Sequence, residues 1–218
     1  MSAPARDPRP AVTLGEGSPI PRGCNRGRAP ALSRRAVRPG FLRYSRPVSD
    51  ASAIQGLVAY TDGGCRGNPG VGGWAFVLVH RATGSTLERR GGEAETTNNR
   101  MEITAALELL RSLKRPGQRL EIRSDSRYLI DLATKWAAGW KRRGWTRKGK
   151  EPLKNLDLIK PLDALLDTHH VTWTWVAGHS GEPGNDYVDQ LANEAMDCLQ
   201  SGADPALERR LEASPIPL

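Results

Sequence analysis

The sequence predicts an α/β fold in which a five-stranded mixed sheet is flanked by helices. Three observations carry that expectation. From about Gly56, short apolar runs are separated by Gly-rich or Thr-Gly turns, the pattern of an antiparallel meander. Further on, strand-like runs alternate with helical stretches, which layers helices on a sheet. The helical stretches keep their apolar residues at i, i+3, i+4 and i+7.

Taken in order, Leu57–Asp62, Gly73–His80 and Ser85–Glu95 read as the first three strands. Asn98–Lys114 reads as a helix stopped by Pro116-Gly117, and Arg119–Ser124 as the fourth strand. A short helix begins over Ser126–Ala133, and a second runs through Trp136 and Trp140. Leu153–Asp167 is helical, and Val171–Val176 is the fifth strand. Gly184–Leu199 is the last helix, with Val188, Leu191, Ala192, Ala195 and Leu199 on one face. One domain is expected over 56–200, followed by a loose tail over 201–218.

The net charge of +8 is unevenly spread. Residues 1–50 hold ten Arg, no Lys, three acids and eight prolines, whereas the remainder holds 22 basic and 21 acidic residues. A segment of that composition cannot bury enough surface to offset its ordering entropy, so 1–55 reads as a disordered Arg/Pro-rich extension. It fits a basic tail for nucleic acid, an Arg-rich transit peptide, or translation from an upstream start with Val48 as the true one. Cys24, Cys65 and Cys198 are odd in number and lack CxxC spacing, which argues against a disulfide framework or a structural zinc site and for a reducing cytoplasm. No run approaches the roughly 20 apolar residues of a membrane span.

Four acids stand where the local pattern favours apolar or neutral side chains. Asp62 closes the run Leu57-Val58-Ala59-Tyr60-Thr61, and Asp125 ends Leu120–Ser124. Glu102 shares a helical face with Ala105, Ala106 and Leu109, and Asp189 sits between Val188 and Leu191. A carboxylate near a core is unfavourable unless compensated. Asp62 and Asp125 at the C-terminal ends of neighbouring strands would converge, the edge where open α/β sheets place their sites. Oxygen-only ligands suit Mg²⁺ or Mn²⁺, and two such ions can activate a water and stabilise the leaving oxygen of a phosphodiester. Each acid also has a plainer reading: Asp62 or Asp125 as a turn residue or cap, Asp189 as a partner of the helix dipole.

The motifs around these acids are more specific. Thr61-Asp62-Gly63-Gly64-Cys65-Arg66-Gly67-Asn68-Pro69-Gly70, Thr96-Thr97-Asn98-Asn99-Arg100-Met101-Glu102, Ser124-Asp125-Ser126, and Gly178-His179-Ser180-Gly181 with Asn185 and Asp189-Gln190-Leu191-Ala192 occur in this order. Together they closely resemble type 1, bacterial-type ribonuclease H, over some two-thirds of the chain. The resemblance implies a ribonuclease H-like fold and hydrolysis of the RNA strand of an RNA–DNA hybrid, leaving 5′-phosphate and 3′-hydroxyl ends. It implies that Asp62, Glu102, Asp125 and Asp189 hold two Mg²⁺ ions, Mn²⁺ being the alternative, and that His179 assists proton transfer or product departure. Imidazole exchanges protons near neutral pH, which agrees with that role. His80, His169 and His170 read as structural.

For the substrate, Asn68, Asn98 and Asn99, with backbone around Cys65 and Arg66, match the family's RNA-strand and minor-groove contacts; the 2′-hydroxyl is what marks RNA. Thr97 matches a position that binds a DNA phosphate. Asn68-Pro69-Gly70 would also make a turn in any protein, and Thr97 or Asn98 would also cap a helix. The basic segment 141–154 holds seven Lys or Arg against one Glu, interleaved with tryptophan. It resembles the family's basic protrusion, so Trp136, Lys141, Arg142 and Arg143 are expected on the DNA strand. The expected partner is the hybrid duplex, with no membrane and no obligate protein partner, and the chain is expected to be a monomer. A non-catalytic hybrid-binding module and a DNA-cutting integrase or transposase relative are the competing classes. The first would lose a metal ligand. The second typically lacks the Asn-Asn pair and the basic protrusion.

Overall fold

The structure, a computed structural model, describes residues 56–147, 149 and 152–217. The extension over 1–55 lies outside the described residues, as do Lys148, Lys150 and Glu151 of the basic segment. The domain starts with β1 (Leu57–Gly67), β2 (Gly70–His80) and β3 (Thr86–Thr96), paired antiparallel in sequence. Helix α1 (Asn98–Ser112) leads to β4 (Arg119–Ser124), which lies parallel to β1. Helix α2 (Arg127–Asp131) runs through a π-helical turn (Leu132–Trp136) into α3 (Ala137–Arg142). Helix α4 (Leu156–Leu166), β5 (His170–Trp175), α5 (Pro183–Gln200) and β6 (Leu207–Leu211) complete the order. The strands stand in the sheet as β5-β4-β1-β2-β3-β6.

Side-chain alternation along the central strands divides the core. Ala59, Phe76, Leu78 and Ile122 point to the face covered by α1 and α4, where Ile103, Leu107, Leu110 and Leu162 meet them. Val58, Tyr60, Val77 and Val79 point to the other face and pack on Val188, Leu191 and Ala192 of α5. Full burial of each such aliphatic side chain contributes about 1.5–3 kcal/mol, so the two layers hold the sheet from both sides. Among the described residues, no helix is long and apolar enough to cross a membrane.

The sheet has six strands rather than five, and the sixth comes from the stretch read as a loose tail. β6 pairs antiparallel with β3 from Thr86↔Leu211 to Arg90↔Leu207, so the outer edge of β3 is satisfied. Two further contacts hold it. Arg209 Nη2 lies 2.7 Å from Glu88, whose side chain is 0% exposed, and Ile216 is buried beside Val58 and Val188. Leu207–Leu211 is Leu-Glu-Arg-Arg-Leu, with too little apolar alternation to announce a strand; its partners, remote in sequence, decide the matter.

β1 also continues past its expected end, so Asp62 lies inside a strand rather than at its terminus. The Gly-rich run after it is a ladder, not a turn. Gly63 allows this, because a Cβ there would stand 2.3 Å from the main-chain carbon of Met101. The strand thus meets the backbone of α1 directly. Asp62 nonetheless lies two residues beyond the last pair of the parallel ladder with β4, Tyr60↔Arg123. It keeps the edge position that an open sheet uses for its chemistry.

Candidate active site

The parallel register builds the site. Continuing Tyr60↔Arg123 by two residues on each strand brings Asp62 beside Asp125, on the face that α5 covers. Glu102 is contributed by the first turn and a half of α1, and Asp189 by the second turn of α5. Glu182 caps the start of α5, where its side chain accepts from the Asn185 N–H at 2.7 Å.

Electrostatics shows that these acids share one environment. Burial pushes the Asp62 carboxyl up to about 7, and the charge of Asp125 adds to it; the Gly63 N–H, 2.7 Å away, pulls down, and Asp189 pushes up again. Burial likewise pushes Glu102 up to about 7, opposed by its bond from the Ser126 hydroxyl at 2.6 Å and reinforced by Asp125. Asn98 Nδ2 also reaches Glu102, at 3.3 Å, and Asn185 Nδ2 reaches Asp125, at 3.4 Å. Asp189 is held by Asn193 Nδ2 at 3.0 Å. Among the described residues, the ion pairs include no Lys or Arg for any of the four acids.

Like charges crowded without a cation are the condition that a divalent ion relieves. The donor set fits one: all oxygen, hard, and held by amides and a hydroxyl. Among the described residues, no three His, Cys, Asp or Glu side chains stand grouped closely enough to hold a metal ion by themselves. Mg²⁺ in general keeps several waters and binds through one or two carboxylates plus substrate phosphate.

His179 approaches Asp189 with Nδ1 3.9 Å from Oδ2, and its side chain is 82% exposed. Its backbone has φ 51°, a left-handed conformation that costs a non-glycine residue energy and clusters at functional loops.

The predicted substrate residues divide. Asn68 Oδ1 accepts the Asn98 N–H at 3.4 Å, so the β1–β2 turn caps α1 beside Glu102. Thr97 occupies the N-cap position with no capping bond from its hydroxyl, which leaves that hydroxyl for another partner. Asn99 is exposed next to it. Cys65 Sγ reaches the Thr96 carbonyl at 3.4 Å, which puts its thiol in the same strand-to-helix corner. The Arg66 side chain, by contrast, turns away to Asp197 at 2.6 Å, so only its backbone faces this corner.

Trp136 is 37% exposed and meets Tyr128 edge-on and Trp140 at a tilt, each 5.8 Å between ring centres. Lys141 is committed to α4, with Nζ 2.7 Å from Asp163 and 2.8 Å from Asp167; those hydrogen bonds push its pKa up. Arg142 and Arg143 are exposed, and no acid pairs with them among the described residues. Two supporting residues escaped sequence reasoning, Ser126 and Asn185. Both lie inside the quoted motifs, but only the fold reveals that they bond Glu102 and Asp125.

The RNase H family model matches residues 55–197. Ribonuclease H of Ralstonia nicotianae is 49% identical over 154 residues, covering 69% of this chain and 100% of that protein. Ribonuclease H of Cupriavidus pinatubonensis is 49% identical over 148 residues, covering 68% of this chain and 100% of that protein. Among solved structures, the type 1 enzyme LC9-RNase H1 superposes with a TM-score of 0.61 at 31% identity, over 70% of this chain and 77% of its own. LC11-RNase H1, solved in complex with an RNA/DNA hybrid, superposes with a TM-score of 0.50 at 26% identity, over 66% of this chain and 99% of its own. With the family model spanning well over half of its length, this chain belongs to the ribonuclease H family.

Proposed function

We propose that the chain is an endonuclease that hydrolyses the RNA strand of RNA–DNA hybrids, leaving 5′-phosphate and 3′-hydroxyl ends. The observation that carries the chemistry is the crowding of Asp62 with Asp125 and Asp189 in a half-buried corner, with no Lys or Arg paired to them among the described residues. Asp62, Glu102, Asp125 and Asp189 would hold two Mg²⁺ ions, with Mn²⁺ as the substitute. Bound there, the ions supply an activated water and neutralise the oxygen that leaves phosphorus.

The chain's own groups do the rest. Ser126 and Asn98 fix the Glu102 carboxylate, and Asn185 fixes Asp125, so the ligands need little rearrangement on loading. His179, exposed on its strained loop beside Asp189, takes up and releases a proton at the rim. Asn68, Asn98, Asn99 and the backbone of Cys65 and Arg66 face the RNA 2′-hydroxyls. Thr97, Trp136, Arg142 and Arg143 face the DNA strand, with Lys141 lending its charge from the α4 surface.

The test offers labelled hybrid, duplex DNA, duplex RNA and single-stranded RNA to the protein, with Mg²⁺ and with chelator. Cleavage confined to the RNA of the hybrid, and only with metal, is expected. Binding without cleavage would make the chain a recognition module, and cutting of duplex DNA would place it with the DNA-processing relatives of the fold.

A further inference from the structure

The proposed chemistry needs α5 in register with two strands, because Asp189 rides on the helix while Asp62 and Asp125 ride on the sheet. A closed circuit of hydrogen bonds joins these elements. Arg123 Nη1 on β4 donates to the Tyr60 hydroxyl on β1 at 2.7 Å. That hydroxyl donates to Glu182 Oε1 at 2.7 Å. Glu182 Oε2 accepts the Asn185 N–H at 2.7 Å, capping α5. Asn185 Nδ2 then returns to Asp125, two residues after the starting arginine, at 3.4 Å.

The placement of each member is specific. Tyr60 and Arg123 are direct partners in the parallel ladder, and each precedes its carboxylate by two residues on the same face. Tyr60 is 0% exposed and its ring lies against α5: a Cβ on Gly184 would stand 2.3 Å from the ring's Cζ. Glu182 is the hinge point of the circuit, three residues after His179 and seven before Asp189. Arg123 is itself anchored, with Nε 2.9 Å from Glu121. Asn185 is 1% exposed, so its bond to Asp125 is made away from water.

We propose that Tyr60, Arg123 and Glu182 are positioning residues, a latch that sets where Asp189 and the His179 loop stand relative to Asp62 and Asp125. This rests on the reading of those four acids as the reaction centre. None of the three is placed on the substrate, so their removal acts on turnover and on metal loading rather than on hybrid affinity.

The closing experiment uses the full chain and hybrid substrate, with E182A, E182Q and Y60F compared with wild type and D62N. Wild-type cleavage abolished by D62N establishes the reaction centre first, so failure of that reading is seen separately. Expected for the latch is a kcat loss of about 10- to 100-fold in E182A and Y60F with KM nearly unchanged, the scale of a misplacement of around an ångström. E182Q, whose single amide oxygen can accept from Tyr60 or from the Asn185 N–H but not from both, should recover only part of the loss. Calorimetric Mg²⁺ binding should weaken in E182A in parallel. Y60F keeps the buried ring, so it reports on the hydroxyl even if E182A folds poorly. A kcat within twofold of wild type in both variants, a lower melting temperature being their only change, would overturn the proposal. So would a raised KM at constant kcat.

Discussion

Two glutamates and an aspartate of one sheet, each partly or wholly buried, receive opposite treatment. On β4, Glu121 would be pushed up by burial, but hydrogen bonds from Arg123 and Thr174 and the charge of Arg81 outweigh it, and its pKa is lowered. On β3, Glu88 is wholly buried and takes Arg209 from β6 and the Tyr187 hydroxyl from α5 at 2.8 Å. On β1, Asp62 is half-buried and pushed up by that burial, yet its neighbours are acids and a single N–H. The fold therefore can supply arginines to partly or wholly buried acids and does so at two places. Among the described residues none reaches Asp62, which agrees with the proposal that its charge is left for an ion, since an uncompensated carboxylate near a core is otherwise a liability.

The largest effect expected from this contrast is on activity. Asp62→Asn should cut Mg²⁺-dependent cleavage of a hybrid by about 10³-fold or more while the protein stays folded, the scale of losing a group that stabilises developing charge. Cleavage rates near those of wild type, at matched circular dichroism, would remove Asp62 from the metal role.

Next is the stability of the metal-free protein against pH. Asp62 and Glu102 are raised to about 7 in the folded state, so between about pH 4 and 7 the native protein holds protons that the unfolded chain has released. The contribution of these two acids to stability must therefore fall as pH rises across that window. Denaturation in chelator at pH 5 and pH 8 measures it. Asp62→Asn should flatten the slope, and Mg²⁺ should restore stability at pH 8. A wild-type protein more stable at pH 8 than at pH 5 would contradict the crowding.

The paired acids should respond differently. Arg209→Ala strips Glu88 of its cation, but the arginine is half exposed and water can reach the gap, so about 1–3 kcal/mol of stability is expected to go. Thermal unfolding reads this directly, and an unchanged melting temperature would mean that Tyr187 alone suffices.

Smallest is an effect on binding that mirrors the same contrast among cations. Neutralising Arg142 and Arg143 together should weaken hybrid binding and shallow its salt dependence by about two counterions, whereas Lys141→Ala, already paired with Asp163 and Asp167, should move the slope less. Equal slopes for both variants would show that the acids of α4 do not hold Lys141 back.

Much of this was legible from residues alone because it is local. Alternation reveals the first five strands, and the apolar stripe of α5 reveals which side of it faces the sheet. Glu102 stands out because its helical neighbours at i+3, i+4 and i+7 are all buried. What escaped depends on residues far apart in the chain. β6 carries little strand pattern of its own and is held by β3, Glu88 and the pocket that receives Ile216. Lys141 reads in sequence as a cation for the DNA strand, and only the tertiary approach of Asp163 and Asp167 commits it; the Arg66 side chain likewise finds Asp197 only through the fold. The run after Asp62 reads as a turn because glycines usually mark one, yet here they let a strand touch a helix.

The π-helical turn at Leu132–Trp136 has a consequence for how the basic surface is aimed. It sits between α2 and α3 without a break, and a helix rotates by about 100° for each residue. A wider turn therefore resets the angular phase of all that follows. Trp136, Arg142 and Arg143 face where they do because of the number of residues in that turn as much as because of their own chemistry. Loss of one residue between Leu132 and Lys135 would keep every aromatic and every charge of the segment, and point them in another direction.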